Sequence, residues 1–269
     1  MDFLKIVKRR SFLSEAIYIS LNVALAIGLM FIVRSTNSIL PAFGLVLLSK
    51  WRVLAVRPRY WFANIQGDLV SLIIAVSYIF FLYSVNIASL DVTKTLITQL
   101  LLTVIYIAWL LLLRPQSKRH YVAAQSGVAL FSGITTIYSI SHGWPASLVV
   151  LLVWLVGYAV ARHVLNNYDD EAHTTLLSLA WGLLLAEIGW LAYHWTIAYN
   201  LPILSNILLP QVSIIMLCLG FLTYQAYNSY SRFNKVKMAD IILPLIFTIC
   251  IIIVLVLAFN SVGVGAIRQ

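Results

Sequence analysis

The sequence predicts an all-α, polytopic integral membrane helix bundle of about nine transmembrane helices, with the N-terminus cytoplasmic and the C-terminus outside. Three observations carry this reading. Only 10% of the 269 residues are charged while 62% are hydrophobic, whereas soluble domains carry roughly 25% charged residues to wet their surface. The apolar residues are gathered into long runs separated by short polar stretches. The Lys and Arg sit in those short stretches, not along one face of a fold.

Each span follows from length. A helix rises 1.5 Å per residue, so crossing about 30 Å of hydrocarbon takes about 20 apolar residues. On that measure the first five candidates are Phe12–Val33, Ser38–Val56, Gly67–Ala88, Thr95–Leu113 and Tyr121–Ile140. Four more are Pro145–Val164, Thr174–Tyr199, Leu201–Tyr224 and Ala239–Phe259. All are expected to be helical, because an open strand edge in lipid leaves its backbone groups unsatisfied. The run leading from the basic stretch Lys5–Arg10 to Val33 is too long for a signal-peptide core and is read as a retained first span. The second candidate is the weakest, since its uninterrupted apolar core covers only Ile39–Leu48 and suits a re-entrant segment as well.

Charge counting favours a full crossing there. With nine crossings, 15 of the 18 Lys and Arg fall on the cytoplasmic side, and only Arg34, Lys94 and Arg268 fall outside. This is the asymmetry of the positive-inside rule. Loops are short throughout, so residues 1–269 read as a single transmembrane domain. Tyr60, Trp61 and Phe62, beside Arg57 and Arg59, suit an interfacial stretch at headgroup depth.

The net charge of +9 does not indicate a nucleic-acid partner, because no soluble basic face exists to carry it. Cys218 and Cys250 both lie in apolar runs and read as small hydrophobes. No GxxxxGK[ST], HExxH or GxSxG pattern occurs. No cofactor or metal is expected, and an enzyme is not the leading reading. The expected partners are the lipid bilayer and either other membrane proteins or further copies of the chain.

The candidate site residues are polar groups at membrane depth, where ionisable side chains are costly. Glu187 lies near the middle of the seventh span, with Trp190 on its helical face and His194 about 10 Å further along the axis. Gln211 is expected at similar depth in the eighth span, beside a break at Pro210, and Asn22 in the middle of the first. Together they suit proton or solute binding in a small-solute or proton-coupled transporter or permease. The competing structural account has protonated Glu187 bonded to Gln211 to hold two helices together. Gly182, Ala186 and Gly189 on the same helix form a small-residue groove suited to close packing.

Asp169, Asp170 and His173 form an acidic, His-containing loop that could hold a metal. The local alternative is that Asp169 and Asp170 cap the seventh helix and Glu171 favours its positive end. Asp68 likewise suits a helix N-terminus. Two further functions remain open at this point: a non-catalytic scaffold or subunit of a larger membrane complex, and an intramembrane enzyme acting on a lipid-linked substrate at the Asp169–His173 loop. The expected location is the cell membrane, as a multi-pass protein of a bacterial cytoplasmic membrane.

Overall fold

The computed structural model describes residues 12–51, 61–87, 91–168, 171–194, 197–200 and 208–258. Within them the chain forms nine helices: α1 (Phe12–Thr36), α2 (Leu40–Ser49), α3 (Trp61–Ile87), α4 (Val92–Ala108), α5 (Arg119–Ile140), α6 (Ala146–Leu165), α7 (Thr174–His194), α8 (Gln211–Phe233) and α9 (Met238–Ala258). α4 runs on through a π-helical segment, Trp109–Leu113. Two three-residue strands, β1 (Ala198–Asn200) and β2 (Leu208–Pro210), pair antiparallel with Tyr199 opposite Leu209. Six of the helices are long and apolar enough to cross a membrane: α1, α3, α4 with its π segment, α6, α7 and α9. α2 is too short for that criterion, and α5 and α8 fall outside the set.

Side-chain bonds between the helices fix their directions. Tyr78 on α3 bonds the Ala26 carbonyl of α1, and Asn86 donates to that of Val33, so α1 and α3 run parallel. α2 must therefore lead the chain back between them. At its start Asn37 meets Asn86 at the far end of α3, and at its close Lys50 pairs with Asp68 at 2.6 Å near the beginning of α3. The short second segment thus connects opposite ends of the bundle and does not turn back on itself. Asp68 lies two turns inside α3, where it serves as the partner of Lys50 and not as a helix cap. The other helices alternate in the same way. Ser126 of α5 faces Val160 of α6, Arg162 of α6 reaches Thr175 of α7, Thr135 of α5 meets Ser213 of α8, and Ser229 of α8 bonds Asp240 of α9.

α5 is the centre. Twelve of its 22 residues are buried, including a continuous stretch from Ser132 to Tyr138. That position explains its composition: the serines, threonines and glycines that keep α5 out of the set of membrane-length apolar helices face protein instead of lipid. Ser132, Thr135 and Ser139 donate to carbonyls four residues back in the same helix, a local bond that satisfies a hydroxyl in an apolar setting.

Around this centre the packing is uneven. α6 and α7 cross so closely that a Cβ on Gly157 would come within 3.0 Å of the Gly182 Cα, and one on Gly182 within 3.0 Å of the Trp154 carbonyl oxygen. Gly189 meets Val153 at the same distance. The small-residue groove read on α7 is therefore a packing surface, and its counterpart on α6 is Gly157. α9, by contrast, packs on α8 along one side and leaves Leu243, Phe247 and Leu257 more than half exposed.

Several spans differ from their expected limits, among them the third, which begins at Trp61 and not Gly67. The seventh helix ends at His194, not Tyr199, because the chain then enters the β-hairpin. The eighth begins at Gln211, not Leu201, and continues to Phe233. Pro210 has extended φ and ψ of −66° and 135° immediately before that helix, so it starts α8 and does not break it. A proline lacks the N–H that a helix interior needs, but the residue before the first turn has no such bond to lose. In the second span α2 covers Leu40–Ser49, and residues 52–60 lie outside the described residues.

Candidate functional site

A cavity of about 1040 Å³ lies against α5, with α7 and α8 among its walls. Its α7 wall is Leu177, Ala180, Trp181 and Leu184, and its α8 wall is Leu217, Gly220, Phe221 and Thr223. α7 and α8 touch only sparingly, which leaves this gap. On the other side of α5 the cavity is bounded by an aromatic ladder. Tyr78 and Tyr106 stack at 4.2 Å between ring centroids, and Trp109 follows at 5.7 Å. Trp109 belongs to the π-helical segment, and its indole Nε1 is buried without a partner. The irregular turn is held from α5: Gln125 Nε2 donates to the carbonyls of Leu113 and Gln116. Its amide oxygen accepts from His163 Nε2 at 2.9 Å. π-turns inside helices recur at functional sites.

The lining is nearly all carbon, and polar groups collect at one end. His120, Tyr224 and Tyr227 line the cavity there. The Tyr227 hydroxyl donates to Glu171 Oε2, and the backbone N–H of His173 donates to Glu171 Oε1 at 3.0 Å. These bonds, the Tyr227 hydroxyl foremost, hold the Glu171 carboxyl below the usual carboxylate range. Tyr168 stands edge-on to Tyr227, with ring centroids 4.9 Å apart. The Arg119 guanidinium lies 4.6 Å from the Tyr168 ring centre, a cation–π distance. Burial pushes the Tyr168 hydroxyl above its ordinary range, Tyr224 adds to the shift, and Arg119 and Arg232 oppose it.

The residues expected to form a site are placed differently. Glu187 is exposed and lies one turn beyond Leu184 on α7, outside the cavity lining, and Trp190 is 52% exposed. His194 is exposed, its Nδ1 against the Trp190 carbonyl of its own helix at 2.8 Å. Gln211 is buried at the first position of α8, not at mid-helix, and its Nε2 has no partner. The expected Glu187–Gln211 bond is therefore not formed through that amide nitrogen. Asn22 donates to the Tyr18 carbonyl one turn back in α1. None of these five residues lines the cavity. Asp169 and Asp170 lie outside the described residues, and His173 is exposed. Among the described residues no three His, Cys, Asp or Glu side chains converge on a metal position.

Sequence reasoning missed the cavity residues because Leu177, Leu184 and Leu217 resemble every other apolar residue of the spans. The one available signal was aromatic crowding, with Tyr224, Tyr227 and Tyr230 near the end of α8. Fold and site together define a membrane-type helical bundle with a lateral apolar cavity. No known family matches the chain, and neither characterised proteins nor solved structures resemble it.

Proposed function

We propose that this protein is a nine-span membrane protein that takes the hydrocarbon part of a membrane-dissolved amphiphile into the cavity between α7 and α8. The observation that carries the proposal is the cavity itself: about 1040 Å³, lined almost wholly by carbon, with α7 and α8 that touch only sparingly among its walls. Ligand cavities span roughly 300–1,000 Å³, so this one has room for a long flexible chain. A water-soluble solute would leave its polar groups unpaired against Leu184, Phe221 and Leu217. The positive-inside rule places the Arg119 end of the cavity on the cytoplasmic side and the C-terminus outside. The same rule supports a cell-membrane location and nine crossings, with α2, α5 and α8 completed by their packing against protein. Transport of a polar solute through Glu187 draws less support, because that side chain is not among the residues that line the cavity.

The test is labelling with a phospholipid that carries a photoreactive diazirine in its tail, on purified protein in lipid nanodiscs. Adducts should concentrate on the peptides that carry Trp181 and Phe221. Filling the cavity with Ala180→Phe and Thr223→Phe should cut that labelling severalfold without lowering the melting temperature. Equal labelling of Leu243 and Phe247 on the outward side of α9 would show ordinary lipid contact and end the proposal.

A second reading, as a subunit of a larger membrane complex, is favoured by the exposure of Glu187 in the middle of α7. A carboxyl facing lipid is costly, and a neighbouring chain would shield it. A stoichiometric second polypeptide in native mass spectra would support this reading, whereas a lone chain across mild extraction conditions would count against it.

A further inference from the structure

We infer that the basic cluster beside the Tyr224 end of the cavity, with Arg119, Tyr168 and Arg232, is a site for the phosphate headgroup of the amphiphile whose tail lies between α7 and α8. The inference rests on the cavity reading above and adds the chemical class of the head. Its starting point is the first turn of α5. Lys118, Arg119 and His120 occupy the N-cap and first two positions of this 22-residue helix, where acidic residues are the usual complement to the helix dipole. The free backbone N–H groups of such a turn already attract anions, and the Lys118 and Arg119 cations add to that field.

The second observation is independent of the helix end. The Tyr168 hydroxyl is buried without a hydrogen-bond partner, on a residue only 5% exposed. A buried polar group left unpaired is costly, and such exceptions call for a missing partner. The Arg119 guanidinium lies 4.6 Å from the Tyr168 ring centre, Tyr227 joins Tyr168 edge-on to the cavity lining, and Arg232 acts on the hydroxyl electrostatically. Neither arginine has a carboxylate within salt-bridge distance among the described residues. The acid described at this end, Glu171, is already bonded at both oxygens, by Tyr227 and by the His173 backbone. Among the described residues the buried hydroxyl has no acceptor, and the two exposed arginines beside it have no carboxylate partner. A phosphate supplies both acceptor oxygens and charge, and arginine binds it through paired N–H groups. The tail direction follows: Tyr224 and Tyr227 join this end to the α8 wall of the cavity.

The test compares diazirine-tailed phosphatidic acid with diazirine-tailed diacylglycerol, which has the same tails and no phosphate. Wild-type protein should label with the phosphorylated lipid about tenfold more strongly, the effect of one or two charge-assisted bonds. Arg119→Gln with Arg232→Gln should abolish the preference while diacylglycerol labelling persists. Tyr168→Phe should reduce it without lowering the melting temperature, since the lost hydroxyl has no partner in the fold. A preference absent from wild type, or intact in the double arginine variant, overturns the headgroup site and leaves the cavity reading standing. Absence of cavity labelling by either lipid overturns both. Inorganic phosphate that displaces the preference at millimolar concentration would assign the site to the free ion.

Discussion

The two sides of α7 make opposite contacts. Towards α6 it presents Gly182, Ala186 and Gly189, and the backbones close to distances at which no side chain fits between them. Towards α8 it presents Leu177, Ala180, Trp181 and Leu184, and the helices stay apart around a cavity. Both sides are apolar, so hydrophobicity alone does not separate them. In lipid there is no hydrophobic drive between helices, and association depends on how closely backbones can approach. Glycine permits that approach, and large side chains on both α7 and α8 hold the other gap open.

The strongest way to break this contrast is to put a side chain on the sealed face. Gly182→Leu should destabilise the protein by about 3 kcal/mol, the upper end of overpacking costs, measured by unfolding in mixed micelles. The reason is that the nearest obstacle is the Trp154 carbonyl oxygen, which is backbone and does not move aside, with the Trp154 ring at 3.2 Å behind it. By contrast, the Ala180→Phe and Thr223→Phe pair on the open face fills space and should leave stability nearly unchanged.

A smaller effect is expected at the polar end of the cavity. Tyr227→Phe removes the bond that holds the Glu171 carboxyl low. A depressed carboxyl stabilises the fold above its unfolded value, about 4.3, and loses that contribution as pH falls through the folded value. The melting-temperature gap between wild type and Tyr227→Phe should therefore stay constant above about pH 5 and narrow below it. A gap that widens on acidification would show that Glu171 is not the group responsible.

The smallest effect belongs to the exposed Glu187 on α7. Glu187→Gln should change stability by no more than about 0.5 kcal/mol, as for other exposed substitutions, and should leave cavity labelling intact. Loss of a pH-dependent flux in this variant would restore Glu187 to a transport path and shift attention from the cavity to the helix exterior.

Most of the bundle was legible because span length and loop charge act locally. A run of 20 apolar residues is a helix in lipid wherever it packs, and Gly182, Ala186 and Gly189 announce a close contact whatever the partner. The boundary of the eighth helix was not legible, since Leu201–Leu209 is as apolar as a span and only the pairing of Tyr199 with Leu209 shows part of it to be strand. The polar residues misled for a related reason. Depth along a helix can be counted from sequence, so Glu187 was rightly placed in the middle of α7, but the direction in which its side chain points depends on what surrounds the helix.

The sequence by itself therefore determined the membrane-type, all-helical class of the protein and the positions of most long apolar helices, which follow from the transfer of residues between water and lipid. Only the tertiary structure decided that α5 lies at the centre, that Gly157 is the counterpart of Gly182, and that the groups gathered around a cavity are Trp109, Trp181, Tyr224 and Tyr227. Those outcomes depend on which faces meet, and in a chain where nearly every face is apolar the pattern of hydrophobicity cannot choose between them.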